Sequence, residues 1–284
     1  MTVLEVIQRS TKFLAQKGVE SARRNIEEML AHVLKMPRLQ LYLNFEKKLA
    51  DAELDMLRGM VKRRAQREPL QHILGTASFC GLEIAVNRHA LVPRPETELL
   101  AERALQFLST LNSQPTTILD FGTGTGCLAI ALAVKAPLAT VHVLDVSNEA
   151  LALARQNAAA HQVTERIQFH SGDGFAALPA GLQFDLIVSN PPYIPSAEIA
   201  TLQPEVRDFD PRAALDGGAD GLDFFRRFAD AAALWLKPDG RLILEFGDGQ
   251  ADALRGVFSA PRWLVEAVED DYSRRPRILV ARVV

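Results

Sequence analysis

The stretch ILDFGTGTGCLAIALA, residues 118–133, decides the fold. It opens as an apolar strand, turns through glycines that alternate with threonine, and runs on as an apolar helix. Gly122, Gly124 and Gly126 allow a tight turn and a close backbone approach to a ligand. A strand, a glycine turn and a helix in succession begin a parallel α/β unit. In open parallel sheets the ligand lies at the carboxyl ends of the strands, near the point where strand order reverses.

Moving outward, TVHVLDV (140–146) reads as the next strand and ends at Asp145, 19 residues after Gly126. An acid at that place accepts from the hydroxyls of a ribose, so a nucleoside ligand is indicated. The spacing G-x-G-x-G departs from the dinucleotide fingerprint G-x-G-x-x-G, and Asp120 precedes it. A carboxylate beside the loop repels pyrophosphate and can instead hold the amino group of a methionine moiety, either by direct pairing or through water. The loop therefore favours S-adenosylmethionine over a dinucleotide. After the strand RIQFH (166–170), Asp173 is placed to accept from an adenine amino group. Phe175 stacks on that ring or packs in the core.

From Thr116 the chain alternates. TILDF, TVHVLDV, RIQFH, FDLIVSN, RLILEFG and RILVARV read as strands, with WLVEAVE ambiguous. CLAIALAVKA, NEALALARQNAAA, GLDFFRRFADAAALWL and QADALRGVFS read as helices. This predicts an α/β fold with a mostly parallel sheet covered on both faces. Pro238-Asp239-Gly240 is a turn signal ahead of RLILEFG.

FDLIVSNPPYI (184–194) carries the chemistry. A buried strand runs into Asn190-Pro191-Pro192-Tyr193 at the sheet edge that holds the glycine loop. Consecutive prolines fix two φ angles and remove two backbone donors. The Asn190 side-chain oxygen and the Pro191 carbonyl are then both available to accept from one NH2 group. Such a group is a poor nucleophile when its lone pair is delocalised. Two acceptors draw it toward tetrahedral geometry and stabilise the positive charge that grows on it. Tyr193 offers a flat face to a planar acceptor. A rigid turn alone gives no reason for Asn-Pro-Pro-Tyr.

The first 75 or so residues read as helices. In SARRNIEEMLAHVLKM (21–36), Ile26, Met29, Leu30, Val33 and Leu34 share a face, with Ser21 as the expected cap. In DAELDMLRGMVKRRAQRE (51–68), Asp51 is the expected cap, Leu54, Leu57 and Val61 share a face, and Lys62, Arg63, Arg64 and Arg67 lie opposite. Leu82, Ile84 and Val86 alternate with Glu83 and Ala85, and Leu91-Val92 follows after Asn87-Arg88-His89, which predicts a short linking hairpin. Pro95 suits the first turn of a helix that follows. Residues 1–80 carry 14 Lys and Arg against 9 Asp and Glu, and the rest 18 against 26. Two cysteines, Cys80 and Cys127, are too few for a disulfide framework or a metal site. With no apolar run of membrane length and no secretory leader pattern, the expectation is a cytoplasmic protein with no metal and no membrane partner.

REPLQHILG (67–75), LVPRPETE (91–98), LDFGTGTG (119–126), DVSNEALALARQNA (145–158), DLIVSNPPYI (185–194) and EVRDFDPRAALDGGADGLDFFR (205–226) together resemble the glutamine-N5 methyltransferases of peptide chain release factors. The resemblance spans nearly the whole chain. It implies a seven-stranded Rossmann-like class I methyltransferase domain (95–284), a helical substrate-recognition domain (1–75) and a linking hairpin (76–94). The implied acceptor is the glutamine of the Gly-Gly-Gln tripeptide in class 1 release factors. By resemblance, Gly122, Thr123, Gly124, Thr125, Gly126 and Asp145 hold S-adenosylmethionine, and Asp120, Asp173, Gly174, Phe175 and Asn190 are the further candidates around it. Asn190 and Pro191 hold the glutamine amide, and Pro192 and Tyr193 shape its pocket. Arg94 and Glu96 lie near the site. Gly174 stands where the family often has a larger residue, His72 where tyrosine is usual, and DDYSRRPRILVAR (270–282) lacks the expected glycine-arginine turn. A ribosomal-protein glutamine and a nucleic-acid adenine remain alternative acceptors. The acidic balance after residue 80 weighs against a direct nucleic-acid substrate.

Overall fold

A computed structural model describes residues 1–111, 114–259 and 261–284. The chain divides into two compact units. The first is Met1–Thr76 with Gln203–Phe209, and the second is Ala77–Leu202 with Asp210–Val284.

The first unit holds helices α1 (Val3–Gln16), α2 (Ala22–Leu34), α3 (Asp51–Ala65) and α4 (Leu70–Leu74). Thr2 and Glu5 cap α1 reciprocally, each accepting from the other's backbone N–H. Ile26, Met29, Leu30, Leu54, Leu57 and Val61 meet in its core, as their spacing predicts. Of the two expected caps, Ser21 takes the N-cap position of α2 without making the side-chain bond, and Asp51 does not take that of α3. Ser21 is left-handed at φ 48 and its side chain caps nothing. The cap of α3 is Ala50, so Asp51 lies inside the first turn and Glu53 accepts from the Ala50 N–H. Arg64 and Arg67 also leave the solvated face expected of them. Arg64 is 6% exposed. Its Nε donates to Asn25 Oδ1 at 2.7 Å and its Nη2 to Glu205 Oε1 at 2.8 Å. Arg67 donates to both oxygens of Glu205. This ion-pair cluster explains why residues 203–209, far along the sequence, belong to this unit.

The second unit begins with β1 (Thr76–Phe79) and β2 (Leu82–Ala85), a small two-stranded sheet. Cys80 and Gly81, both at positive φ, make its turn. Leu91 and Val92 add no strand. Then follow α5 (Pro95–Thr110), β3 (Thr116–Phe121), α6 (Cys127–Lys135), β4 (Ala139–Asp145), α7 (Asn148–Ala160), β5 (Ile167–Ser171) and β6 (Phe184–Ser189). After a single turn that belongs to the first unit, α8 (Pro204–Arg207), the second unit resumes with α9 (Asp223–Ala231), β7 (Leu236–Glu245), α10 (Ala251–Val257), β8 (Trp263–Asp270) and β9 (Pro276–Val283). Pro95 takes the first position of α5. Pro238-Asp239-Gly240 bulges within β7 instead of preceding it, with Asp239 at φ 63. A turn at Asp271–Arg275 joins β8 to β9 without glycine, since Arg274 takes φ 61.

The sheet order is β5-β4-β3-β6-β7-β9-β8, parallel except where β9 pairs with β7 and β8. Alternate residues serve opposite faces, as the strand period requires. Ile118, Val143, Val188 and Ile243 pack with α5, α6 and α7, while Leu119, Leu144, Ile187 and Leu244 pack with α9 and α10. Phe225 and Phe228, one turn apart on α9, are buried to 0% and 1% exposure. Each contributes about 2–3 kcal/mol by its removal from water. Strand order reverses between β3 and β6, so the loops after these two strands stand side by side.

Candidate functional site

The loop after β3 is held from beneath. Gly122 and Thr123 donate their N–H groups to Leu144 O, Gly126 donates to Thr123 O, and Gly124 donates to Asp145 Oδ2 at 2.9 Å. The three glycines take φ values of 76, 54 and 79°. At Gly126, a Cβ would stand 3.0 Å from that of Ala154, so a side chain there would push α6 away from α7. With four amide donors engaged internally, little remains to cradle a phosphate. Beside the loop, the cavity is faced by the carboxylates of Asp120 and Asp145. Asp145 is pinned at both oxygens, by Gly124 N and Ser147 N, and each oxygen keeps a further lone pair for a ligand. Asp120 is 2% exposed and accepts from Thr123 Oγ at 2.6 Å. Burial, helped by the charge of Asp145, pushes the Asp120 carboxyl up to about 7.

One cavity gathers Asp120, Gly122, Thr123, Gly124, Thr125, Asp145, Asp173, Gly174, Asn190 and Pro192. Four expected residues do not line it. Gly126 caps α6. Phe175 packs against Phe121, Phe228 and Trp235 at ring-centroid distances of 5.1, 6.0 and 5.8 Å, so the core reading of that residue is the one realised. Pro191 is buried and Tyr193 packs against the α9–α10 core, half-buried. Asp173 does line the cavity, yet it is exposed and its carboxylate is engaged by Arg227 at 2.6 Å. Among the described residues, no group of three His, Cys, Asp or Glu is arranged to hold a metal.

The Asn190-Pro191-Pro192-Tyr193 run is fixed at both ends. Before it, Ser189 Oγ donates to Phe121 O at 2.6 Å, tying β6 to β3. After it, Gln250 Nε2 donates to Tyr193 O at 2.9 Å, and Ile194 exchanges backbone bonds with Leu215 and Gly217. Gly221 is required for this packing. It sits at φ 77, and a Cβ there would lie 2.3 Å from Tyr193 O. The Tyr193 phenol is held up at about 12 by burial and by the neighbouring Glu245 charge, so it stays protonated.

Asn190 Nδ2 donates to Thr97 Oγ at 2.9 Å. Among the described residues nothing donates to Asn190 Oδ1 or to the Pro191 carbonyl. Thr97 Oγ in turn donates to Glu245 Oε2 at 2.7 Å. Thr97 and Glu245, at 5% and 1% exposure, went unseen in the sequence. Their signals were a glutamate in the apolar strand RLILEF and a threonine inside PRPETE. Residues His89 to Pro93 also line the cavity without having been expected there. Arg94 lines it too, pairing with the buried Asp210 at 2.6 Å. Glu96 lies exposed in the first turn of α5.

Residues 5–75 match the model of the PrmC N-terminal domain, and residues 102–203 match the methyltransferase small domain. The chain is 47% identical to a release factor glutamine methyltransferase of Geobacter sulfurreducens, over 91% of this chain and 88% of that one. It is 42% identical to one from Chlorobaculum tepidum, over 95% and 93%. In fold it is similar to the crystal structure of a methyltransferase from Pyrococcus furiosus, with a TM-score of 0.51 and 18% identity over 72% of this chain and 90% of that one.

Proposed function

The chain belongs to the release factor glutamine methyltransferases, and from that premise we propose that it transfers a methyl group from S-adenosylmethionine to the side-chain nitrogen of the glutamine in the Gly-Gly-Gln tripeptide of class 1 release factors. The observation that carries this reading is the Asn190 amide at the cavity wall, anchored through its nitrogen with its oxygen unengaged.

The donor set fits the cofactor. Asp145 offers two oriented oxygens to ribose hydroxyls, and Asp120 offers a carboxylate to an ammonium group. The engaged loop amides and the paired acids disfavour a diphosphate. When bound, the cofactor supplies an electrophilic methyl on a sulfonium. The protein's part is to prepare the nucleophile. Asn190 Oδ1 and the Pro191 carbonyl accept from the two hydrogens of the glutamine NH2, which turns its lone pair out of conjugation and stabilises the growing positive charge. No side chain need take the proton before methyl transfer; as the N–CH3 bond forms the S–CH3 bond breaks, leaving a neutral thioether, and the methylated nitrogen then loses one proton to water. Pro192 walls the cavity, and proximity between the held nitrogen and the methyl supplies the rest. A release-factor substrate and two free thiols suit a reducing cytoplasmic setting.

The test is incubation with labelled S-adenosylmethionine and a release factor, its Gln-to-Ala variant, a large-subunit ribosomal protein, or adenine-containing DNA. Label in the intact release factor alone is expected. Label in the ribosomal protein or in DNA, with none in the release factor, refutes the proposal.

A further inference from the structure

An asparagine amide has two ends of nearly the same shape, and the site needs one of them. Turned half a revolution about its last bond, Asn190 would present NH2 to the NH2 of the acceptor and repel it. Packing does not distinguish the two orientations; hydrogen bonding does.

The direction of the hydrogen bonds behind Asn190 supplies the choice. Glu245, as a carboxylate, only accepts, so the Thr97 hydroxyl proton points toward it. What remains on Thr97 Oγ is a lone pair, and that lone pair takes a hydrogen of Asn190 Nδ2. The oxygen of Asn190 is left for the cavity. The charge on Glu245 also polarises the chain of bonds and makes that oxygen a stronger acceptor. We propose that Thr97 and Glu245 are positioning residues whose directional relay holds the Asn190 oxygen toward the acceptor amide, and that protonation of Glu245 allows the relay to run backwards and weakens the clamp. In the reversed state the Glu245 O–H donates to Thr97 Oγ, the Thr97 O–H donates to Asn190 Oδ1, and the amide nitrogen faces the cavity. This deepens the proposed function and rests on its assignment of Asn190.

The surroundings allow that change near neutrality. Burial raises the Glu245 carboxyl to about 7, against the stabilising bond from Thr97. Arg277 on β9 and Arg94 ahead of α5 favour its charge, and Glu96 on α5 opposes it. The Tyr193 phenol, which also faces Glu245, stays neutral.

The experiment measures kcat and KM for the release factor at saturating cofactor between about pH 5.5 and 9, with Thr97→Ser, Thr97→Val and Glu245→Gln beside the unsubstituted enzyme. Cofactor affinity and melting temperature are recorded for each. The unsubstituted enzyme is expected to lose kcat on the acid side with a midpoint near 7. Thr97→Ser should keep both rate and limb. Thr97→Val and Glu245→Gln should lower kcat about three- to tenfold, the loss expected when a charge-assisted bond becomes neutral or is removed. Their KM and cofactor affinity should change little, and Glu245→Gln should lose the acid limb. Unchanged kcat in Thr97→Val, or an unchanged limb in Glu245→Gln, overturns the relay. An unsubstituted enzyme that does not methylate the release factor overturns the proposed function instead.

Discussion

Asp120 allows a sharp test of the cofactor site. Its carboxyl is 2% exposed, hydrogen-bonded to Thr123, and raised by burial to about 7. A cationic ligand beside it binds best to the ionised form. With a pKa of about 7, about one molecule in eleven carries the charge at pH 6 and about ten in eleven at pH 8. The dissociation constant for S-adenosylmethionine should therefore weaken about tenfold from pH 8 to pH 6. At pH 7 binding should release about half a proton. Titration calorimetry in two buffers of different ionisation enthalpy reads both quantities. Asp120→Asn should bind weakly with no such pH dependence. The same group sets a stability trend of opposite sense. Its pKa in the folded protein lies above the unfolded value, so its favourable contribution is complete in acid and is lost as pH rises through about 7. At pH 8 the buried charge costs at most on the order of 4 kcal/mol, and Asp120→Asn should melt higher there. A flat affinity across this range, with no buffer-dependent heat, refutes the assignment of Asp120 as the partner of a cation.

Three further outcomes follow from the geometry. Asn190→Ala should keep cofactor affinity, measured by calorimetry, and lose about 10²- to 10³-fold in kcat, the usual loss when one preorganised polar partner of the transition state is removed; equal turnover removes the amide clamp. Gly221→Ala forces a Cβ against Tyr193 O in a left-handed backbone. It should cost about 2–5 kcal/mol in a denaturant titration and slow turnover by shifting the Tyr193 loop. Glu205→Ala leaves Arg64 buried without its carboxylate and should destabilise the first unit by about 3 kcal/mol. Burial opposes charge on Glu205, but the bonds from Arg67 and Arg64 prevail and hold its carboxyl below the usual range. The contribution of this pair is therefore present at neutral pH and fades in acid, as thermal melts at descending pH will read.

What the sequence revealed and what it hid divide along physical lines. Strand and helix alternation, and the placing of the glycine loop and Asn190 at the same sheet edge, were legible because period and turn chemistry are local; the strand order β5-β4-β3-β6-β7-β9-β8 was not, since pairing joins residues far apart in the chain. Asp51 is not the cap of α3 because adjacent residues compete for a helix start and Ala50 takes the position, while Ser21 takes the N-cap of α2 in a left-handed backbone that turns its hydroxyl away from the helix amides. Arg64 looked solvated because its partner, Glu205, lies 141 positions away. Thr97 and Glu245 were hidden for the same reason, since three separate elements bring their side chains and that of Asn190 together. Phe175 was ambiguous because an aromatic ring suits a core and a base equally well, and Phe121, Phe228 and Trp235 decide the matter.

The capture of residues 203–209 by the first unit has a topological consequence. The polypeptide passes between the units at 76/77, 202/203 and 209/210, so no single cut releases either of them. A protease nick after Thr76 leaves a fragment of 76 residues that still grips Glu205 through Arg64 and Arg67. The two pieces should copurify under native conditions and part in denaturant. A version truncated at residue 77 exposes two arginines that have lost their carboxylate. Exchanging the helical unit between relatives therefore requires transplanting both segments, the long one and the seven-residue one, as a matched pair.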